Sequence, residues 1–250
     1  MSLFDSDDFS SRLFYPRADR SQPPPGATDT MVAVEGAELH VRTHAALEGA
    51  RTLLLFHGNG EVVADYDDAG PQFAAAGARL VVTDYRGYGR STGTPSLRAA
   101  ISDARAVVAS VPGPVIVMGR SLGSACAAEL YAANLPTVTA VILESGSTDL
   151  TALVRRRGLT PPRQFDAADE AVFAALPKIA RGTVPLLVLH GAQDTMIHPR
   201  EAEAAFATAT TPHKRIVLVP DRGHNDISVS PLYWAALASF VDQCISTHTM

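Results

Sequence analysis

The chain has 250 residues, 46% hydrophobic and 19% charged, with a formal net charge of −5. That length holds one large α/β domain or two small ones, and the acidic balance without a long basic tract argues against a nucleic-acid partner. No apolar run approaches the roughly 18–20 residues of a membrane span. The start of the chain lacks the basic and apolar regions of a signal peptide, and two cysteines, Cys126 and Cys244, make no disulfide framework, so the expectation is a reduced, cytoplasmic protein.

Residues 1–30 are polar and proline-rich, ending in Pro23-Pro24-Pro25-Gly26, with apolar islands at Leu3-Phe4, Phe9 and Leu13-Phe14-Tyr15. They read as an N-terminal arm packing its aromatics on the surface of a domain that spans residues 31–250. An exposed anchor for a membrane or a partner is the alternative. Within residues 32–42, two alternating runs flank Glu35-Gly36, which predicts an antiparallel hairpin. Residues 51–56 form a fully apolar strand that runs into His57-Gly58-Asn59-Gly60. A helical segment with a break or restart at Pro71 follows to Gly77. The apolar strand at 79–84 then ends in a glycine-rich loop at 85–91, and an alanine-rich helix spans 96–110.

Residues 114–118 are apolar and rich in β-branched side chains. They lead into Gly119-Arg120-Ser121-Leu122-Gly123, and the chain from Ser124 reads as helix. A further buried strand is predicted at 138–143. Residues 146–182 break the rhythm with Arg155-Arg156-Arg157, Pro161-Pro162 and Pro177. Strands at 184–189 and 215–219, a helix at 200–208 and a closing helix at 231–245 restore it. Continuous apolar strands alternating with helices imply a mostly parallel sheet of eight strands, covered on both faces, with the hairpin as an antiparallel edge.

Gly-x-Ser-x-Gly between a buried strand and a helix is the context of a nucleophile elbow. A Cβ at either glycine would crowd the backbone, and the turn lifts the Ser121 hydroxyl out of the sheet beside the free N–H groups of a helix start. The pentapeptide alone is equally compatible with a plain strand–helix turn. Serine is a poor nucleophile at neutral pH, so it needs a base, and the base needs an orienting group. The order expected for this fold is serine, acid, histidine. Asp194 lies just past the strand at 184–189 and His224 just past the strand at 215–219, so these two are the candidate acid and base. Asp149, Asp221 and Asp226 compete for the acid role, the last two more simply as loop turns or caps. His57 and His190 read as braces at strand ends, and His198 and His213 as surface residues. The oxyanion donors are predicted as the backbone N–H groups of Leu122, after the nucleophile, and Asn59, in the loop after the third strand.

These motifs resemble the α/β-hydrolase superfamily, and within it the small serine hydrolases related to Bem46. The resemblance rests on His57-Gly58-Asn59-Gly60, on residues 84–91, on the Ser121 pentapeptide, and on the Asp194 and His224 loops. Phe14-Tyr15-Pro16 resembles the family's lead-in. The resemblance runs from about residue 12 and weakens between 146 and 182. It implies an α/β-hydrolase fold with a small cap at about 146–182, and an esterase or thioesterase that needs no metal or organic cofactor and acts on a small ester or thioester. Asp84 and Arg86 read as loop braces, Arg120 as a packing residue, and Glu61 either as a residue favouring a helix start or as a carboxylate facing the pocket.

A long connection at a site is usually functional, so residues 146–182 are expected to form a lid whose Phe165 and Phe173 bind substrate. Leu153, Val154, Leu159, Val172 and Leu176 supply its other apolar contacts, and Arg155-Arg156-Arg157 read as solvated. The same residues at the site would serve an amidase, a carbon–carbon bond hydrolase or an acyltransferase. A ligand-binding protein with slow or absent turnover on the same fold is the reading from outside the enzymes.

Overall fold

The structure, a computed structural model, describes residues 2–246. Ser6 caps α1 (Asp7–Leu13), its hydroxyl receiving the Phe9 N–H. β1 (Thr28–Val34) and β2 (Ala37–Thr43) pair antiparallel around Glu35-Gly36, with Val34 opposite Ala37. β3 (Arg51–Phe56), α2 (Gly70–Ala75) and β4 (Ala78–Thr83) follow, with Pro71 in the first turn of α2, where a missing N–H costs nothing. Ser96 caps α3 (Leu97–Ser110). Next come β5 (Val115–Arg120), α4 (Ser124–Ala133) and β6 (Val138–Glu144).

The connection from β6 to β7 (Leu186–Gly191) carries three short helices, α5 (Leu150–Arg156), α6 (Ala167–Phe173) and α7 (Ala175–Ile179). It is more regular than its sequence suggests. Asp149 and Asp166 cap α5 and α6 by receiving the N–H groups of Ala152 and Ala168, so each helix needs only one turn or two of favourable sequence between the prolines. α8 (Pro199–Thr208), β8 (Lys214–Val219) and α9 (Pro231–Ser246) complete the chain.

The strands form one sheet in the order β1-β2-β4-β3-β5-β6-β7-β8. β2 runs antiparallel to both its neighbours, and the pairings from β4 through β8 are parallel. Alternation along each strand divides the core. Leu54, Phe56, Val115 and Val117 face α3, α4, α7 and α8, whereas Leu53, Leu55, Ile116 and Met118 face α2 and α9. This is the eight-stranded, mostly parallel sheet that the sequence predicts.

The N-terminal segment packs its aromatics against the domain, as expected of an arm and not of an exposed anchor. Phe4 and Phe9 are fully buried and Leu13 is 1% exposed, and the Phe4 ring sits 4.5 Å from that of Phe173. β1 begins at Thr28, inside the stretch read as arm. Tyr15, at 57% exposure, is the island residue left in solvent. No helix among the described residues is long and apolar enough to cross a membrane.

Candidate active site

The parallel strands β3, β5, β7 and β8 end at the same edge of the sheet, and each delivers a loop to one place. β5 ends at Arg120, Ser121–Gly123 form a single 3-10 turn, and α4 begins at Ser124. Ser121 holds φ +50°, a left-handed conformation that a non-glycine residue keeps only where its surroundings impose it. Those surroundings are specific. A Cβ at Gly119 would collide with the Gly123 carbonyl oxygen, and one at Gly123 with the carbonyl oxygen of Phe56 in β3. Only glycine lets β5, the turn and β3 approach so closely.

Asp194 follows β7. The N–H groups of Met196 and Ile197 both donate to its Oδ1 at 2.8 Å. Its Oδ2 lies 2.7 Å from His224 Nδ1 and 3.1 Å from His190 Nε2. Burial on its own would raise the Asp194 pKa, but the hydrogen bonds from His190, His224 and the Ile197 N–H outweigh it and hold the carboxyl well below its ordinary range. His224 lies on the loop after β8, and its Nε2 is 2.9 Å from Ser121 Oγ. Asp226 steadies that loop by receiving the Gly223 N–H at 2.7 Å. Ser121, His224 and Asp194 are thus joined by two hydrogen bonds, with His224 9% and Asp194 3% exposed.

The competing residues are occupied elsewhere. Asp149 caps α5, and Asp221 sits at φ +56° in a turn and receives Gln193 Nε2. His57 Nδ1 donates to the Gly58 carbonyl at 2.7 Å, and its Nε2 faces Asp84 at 3.3 Å. His198 caps α8 and His213 is exposed. Asp84 is fully buried, receiving His40 and the Val63 N–H, and Arg86 grips Asp103 through two bonds of 2.7 and 2.8 Å. Both are loop braces away from Ser121.

The loop after β3 is fixed from several sides. Glu61 Oε2 receives the Gly58 N–H at 2.7 Å and the Tyr66 hydroxyl at 2.7 Å, so Glu61 is a brace and neither favours a helix start nor enters the pocket wall. The Asn59 side chain donates to the Leu13 carbonyl and receives the Tyr15 N–H at 3.1 Å and the Tyr88 hydroxyl at 2.7 Å. Among the described residues, the Asn59 backbone N–H has no protein acceptor.

A pocket opens beside Ser121, walled by Asn59, Leu122, Ala125, Leu150, Leu153 and Phe173, among others. Phe165 is outside it. Its ring packs 5.6 Å from that of Phe4, and it borders a separate groove between α6 and α8. Wall residues that escaped the sequence reading include Leu13, Leu97, Met196 and Ile197. Leu13 comes from the arm and Leu97 from the start of α3, so no periodicity marks either as a pocket residue. Arg156 and Arg157 also reach the wall, which corrects their reading as solvated. Arg156 pairs with Glu201 at 2.7 Å and with Ser147 Oγ at 2.5 Å.

A mostly parallel eight-stranded sheet with helices on both faces, and a strained serine at the β5–α4 turn, define the α/β-hydrolase fold. A family model described as "Serine aminopeptidase, S33" matches residues 48–165. The chain is 27% identical over 205 residues to "Protein bem46" of Schizosaccharomyces pombe, covering 78% of this chain and 68% of that one. Among solved structures, it is similar to the Pyrococcus furiosus esterase Pf2001, with TM-score 0.73, 15% identity and coverage of 94% and 98%. It is likewise similar to a thioesterase domain from the curacin biosynthetic pathway, with TM-score 0.64, 18% identity and coverage of 86% and 98%.

Proposed function

We propose that this protein is a serine hydrolase that cleaves a carboxylic ester or thioester through an acyl-enzyme. The observation that carries the reading is the continuous line from Ser121 Oγ to His224 Nε2 at 2.9 Å and from His224 Nδ1 to Asp194 Oδ2 at 2.7 Å, at the mouth of a pocket. His224 Nε2 takes the proton as Ser121 Oγ attacks the carbonyl carbon. Asp194 holds the imidazole in the tautomer with hydrogen on Nδ1 and stabilises the imidazolium that forms. The N–H groups of Asn59 and Leu122 receive the developing oxyanion. His224 then returns the proton to the departing alkoxide or thiolate, and water repeats the sequence on the acyl-enzyme.

In this reading residues 146–182 form a small cap on a single hydrolase domain, and Phe173 closes the acyl pocket. The free space beside Ser121 is about 60 Å³, well under the ~150 Å³ of an apolar cavity that takes benzene, which favours short or medium acyl groups. An esterase and a thioesterase domain among the structural neighbours agree with acyl transfer. The aminopeptidase description of the matched family favours a second reading, amide cleavage by the same residues.

Fluorophosphonate labelling of the wild type and of Ser121→Ala tests the chemistry, alongside turnover of matched ester, thioester and amide substrates. Labelling confined to the wild type, with ester or thioester faster than amide, is the expected result. An unlabelled wild type sinks the nucleophile, and faster amide turnover selects the second reading.

A further inference from the structure

The wall of the pocket holds a cation with no counter-charge among the described residues. α5 ends at Arg156, and Gly158, at φ +71°, turns the chain away, its N–H bonded to the Arg155 carbonyl at 2.9 Å. Arg157, between them, is fixed by its own N–H on the Val154 carbonyl at 3.1 Å, and its side chain joins the wall that also contains Ser121 and Asn59.

The carboxylates around this pocket are committed. Glu201 receives Arg156, the Ser147 hydroxyl and the N–H groups of Thr148 and Asp149. Asp149 caps α5, and Asp194 holds His224. Among the described residues no carboxylate lies within salt-bridge reach of Arg157, and its Nε is buried with no acceptor. That Nε is closed off from solvent, so the donors left to a ligand are the terminal nitrogens of the guanidinium, which make no hydrogen bond to the described residues. The guanidinium fork matches a carboxylate or phosphate.

We infer that Arg157 forms an anion subsite, and that the preferred substrate is an ester or thioester carrying a carboxylate or phosphate close to the scissile bond. This rests on the hydrolase reading above. The anion can belong to the acyl half or to the leaving group, and the assay separates them. Phenyl hydrogen adipate against phenyl hexanoate places the charge on the acyl side. The butanoate ester of 4-hydroxyphenylacetate against that of 4-methylphenol places it on the leaving group.

Wild-type enzyme should favour the charged member of one pair by tenfold or more in kcat/KM, mostly through KM. Added salt should shrink the preference, Arg157→Gln should abolish it, and Arg157→Lys should keep part of it. A preference below twofold in both pairs, or one that survives Arg157→Gln, overturns the proposal. Calorimetric titration of Ser121→Ala protein with the same four compounds reads the subsite without turnover. Tighter binding of a charged member supports the subsite even if Ser121 proves not to be the nucleophile, and equal binding within each pair refutes it.

Discussion

Arg120, the residue before Ser121, pairs with Glu61, the residue that holds the proposed oxyanion loop through the Gly58 N–H. The same guanidinium donates to Asn225 Oδ1 at 2.9 Å, next to His224, and faces Glu144 at 3.2 Å. One planar fork therefore ties the nucleophile turn to the oxyanion loop and to the histidine loop. Lysine cannot replace it, because a single ammonium has no fixed geometry for three partners. Arg120→Lys should lower kcat by roughly 10–100-fold, the scale for misplacing reacting groups by about an ångström, with KM changed less, since Arg120 is not part of the pocket wall. A kcat within twofold of wild type would reduce Arg120 to packing.

The two hydrogen bonds that join Ser121, His224 and Asp194 set a hierarchy of losses. Ser121→Ala should lower kcat by about 10⁴–10⁶-fold, and Asp194→Asn by about 10⁴-fold through the wrong histidine tautomer. Asp149→Asn keeps a side chain that can cap α5 at the pocket wall, and Asp221→Asn touches a turn, so each should stay within tenfold. Steady-state kinetics on the four variants decides the matter. A crippled Asp149→Asn beside a mild Asp194→Asn would reassign the acid.

The eight strands, the β5 turn and the loops of Asp194 and His224 were legible because each follows from a local pattern: an apolar run, two glycines, a residue placed just past a strand. The pocket wall was less so. Leu13, Leu97 and Ile197 come from three distant segments, and nothing in any one segment says that the others will meet it. Arg156 and Arg157 look solvated in a run of three arginines, yet Glu201, 45 residues later, draws Arg156 inward. Phe165 and Phe173 are equally apolar in sequence. The Phe4 ring, delivered by the arm, contacts both, and only Phe173 also reaches the pocket.

The depressed Asp194 pKa gives stability a pH dependence. The unfolded chain takes up a proton near the ordinary aspartate value of about 3.9, whereas the folded carboxyl resists protonation to lower pH. Over that window the unfolded state binds more protons, so stability falls as pH falls. The contribution is complete above about pH 4–5 and is lost as pH drops toward the folded value. Urea midpoints between pH 3 and 7 should show the gap between wild type and Asp194→Asn narrowing below about pH 4. A gap that stays constant throughout would mean the carboxyl is not held ionised by its partners.

Phe173 and Phe165 should separate under substitution. Phe173→Ala should alter the ratio of kcat/KM between short and long acyl esters by about 1–3 kcal/mol, the scale of a pocket contact. Phe165→Ala should lower the melting temperature and leave that ratio alone, since its ring packs on Phe4 and not in the pocket wall. A chain-length profile that follows Phe165 instead would mean the cap closes differently when substrate is bound.

The N-terminal segment is coupled to the oxyanion loop through the Asn59 side chain, which holds the Leu13 carbonyl and the Tyr15 N–H. The backbone N–H proposed for the oxyanion belongs to the same residue, so side chain and main chain have separable tasks. Asn59→Ala keeps that N–H but releases the arm, along with Leu13 from the pocket wall. It should cost far less kcat than Ser121→Ala while making the first 15 residues more open to proteolysis. Phe4→Ala loosens the arm from its other end. Deleting a fully buried ring should cost about 3–5 kcal/mol of stability in urea, and the loosened arm should carry Leu13 away and raise KM. If Phe4→Ala unfolds at the wild-type midpoint, or if Asn59→Ala is as inactive as Ser121→Ala, the arm is not the clamp on this loop.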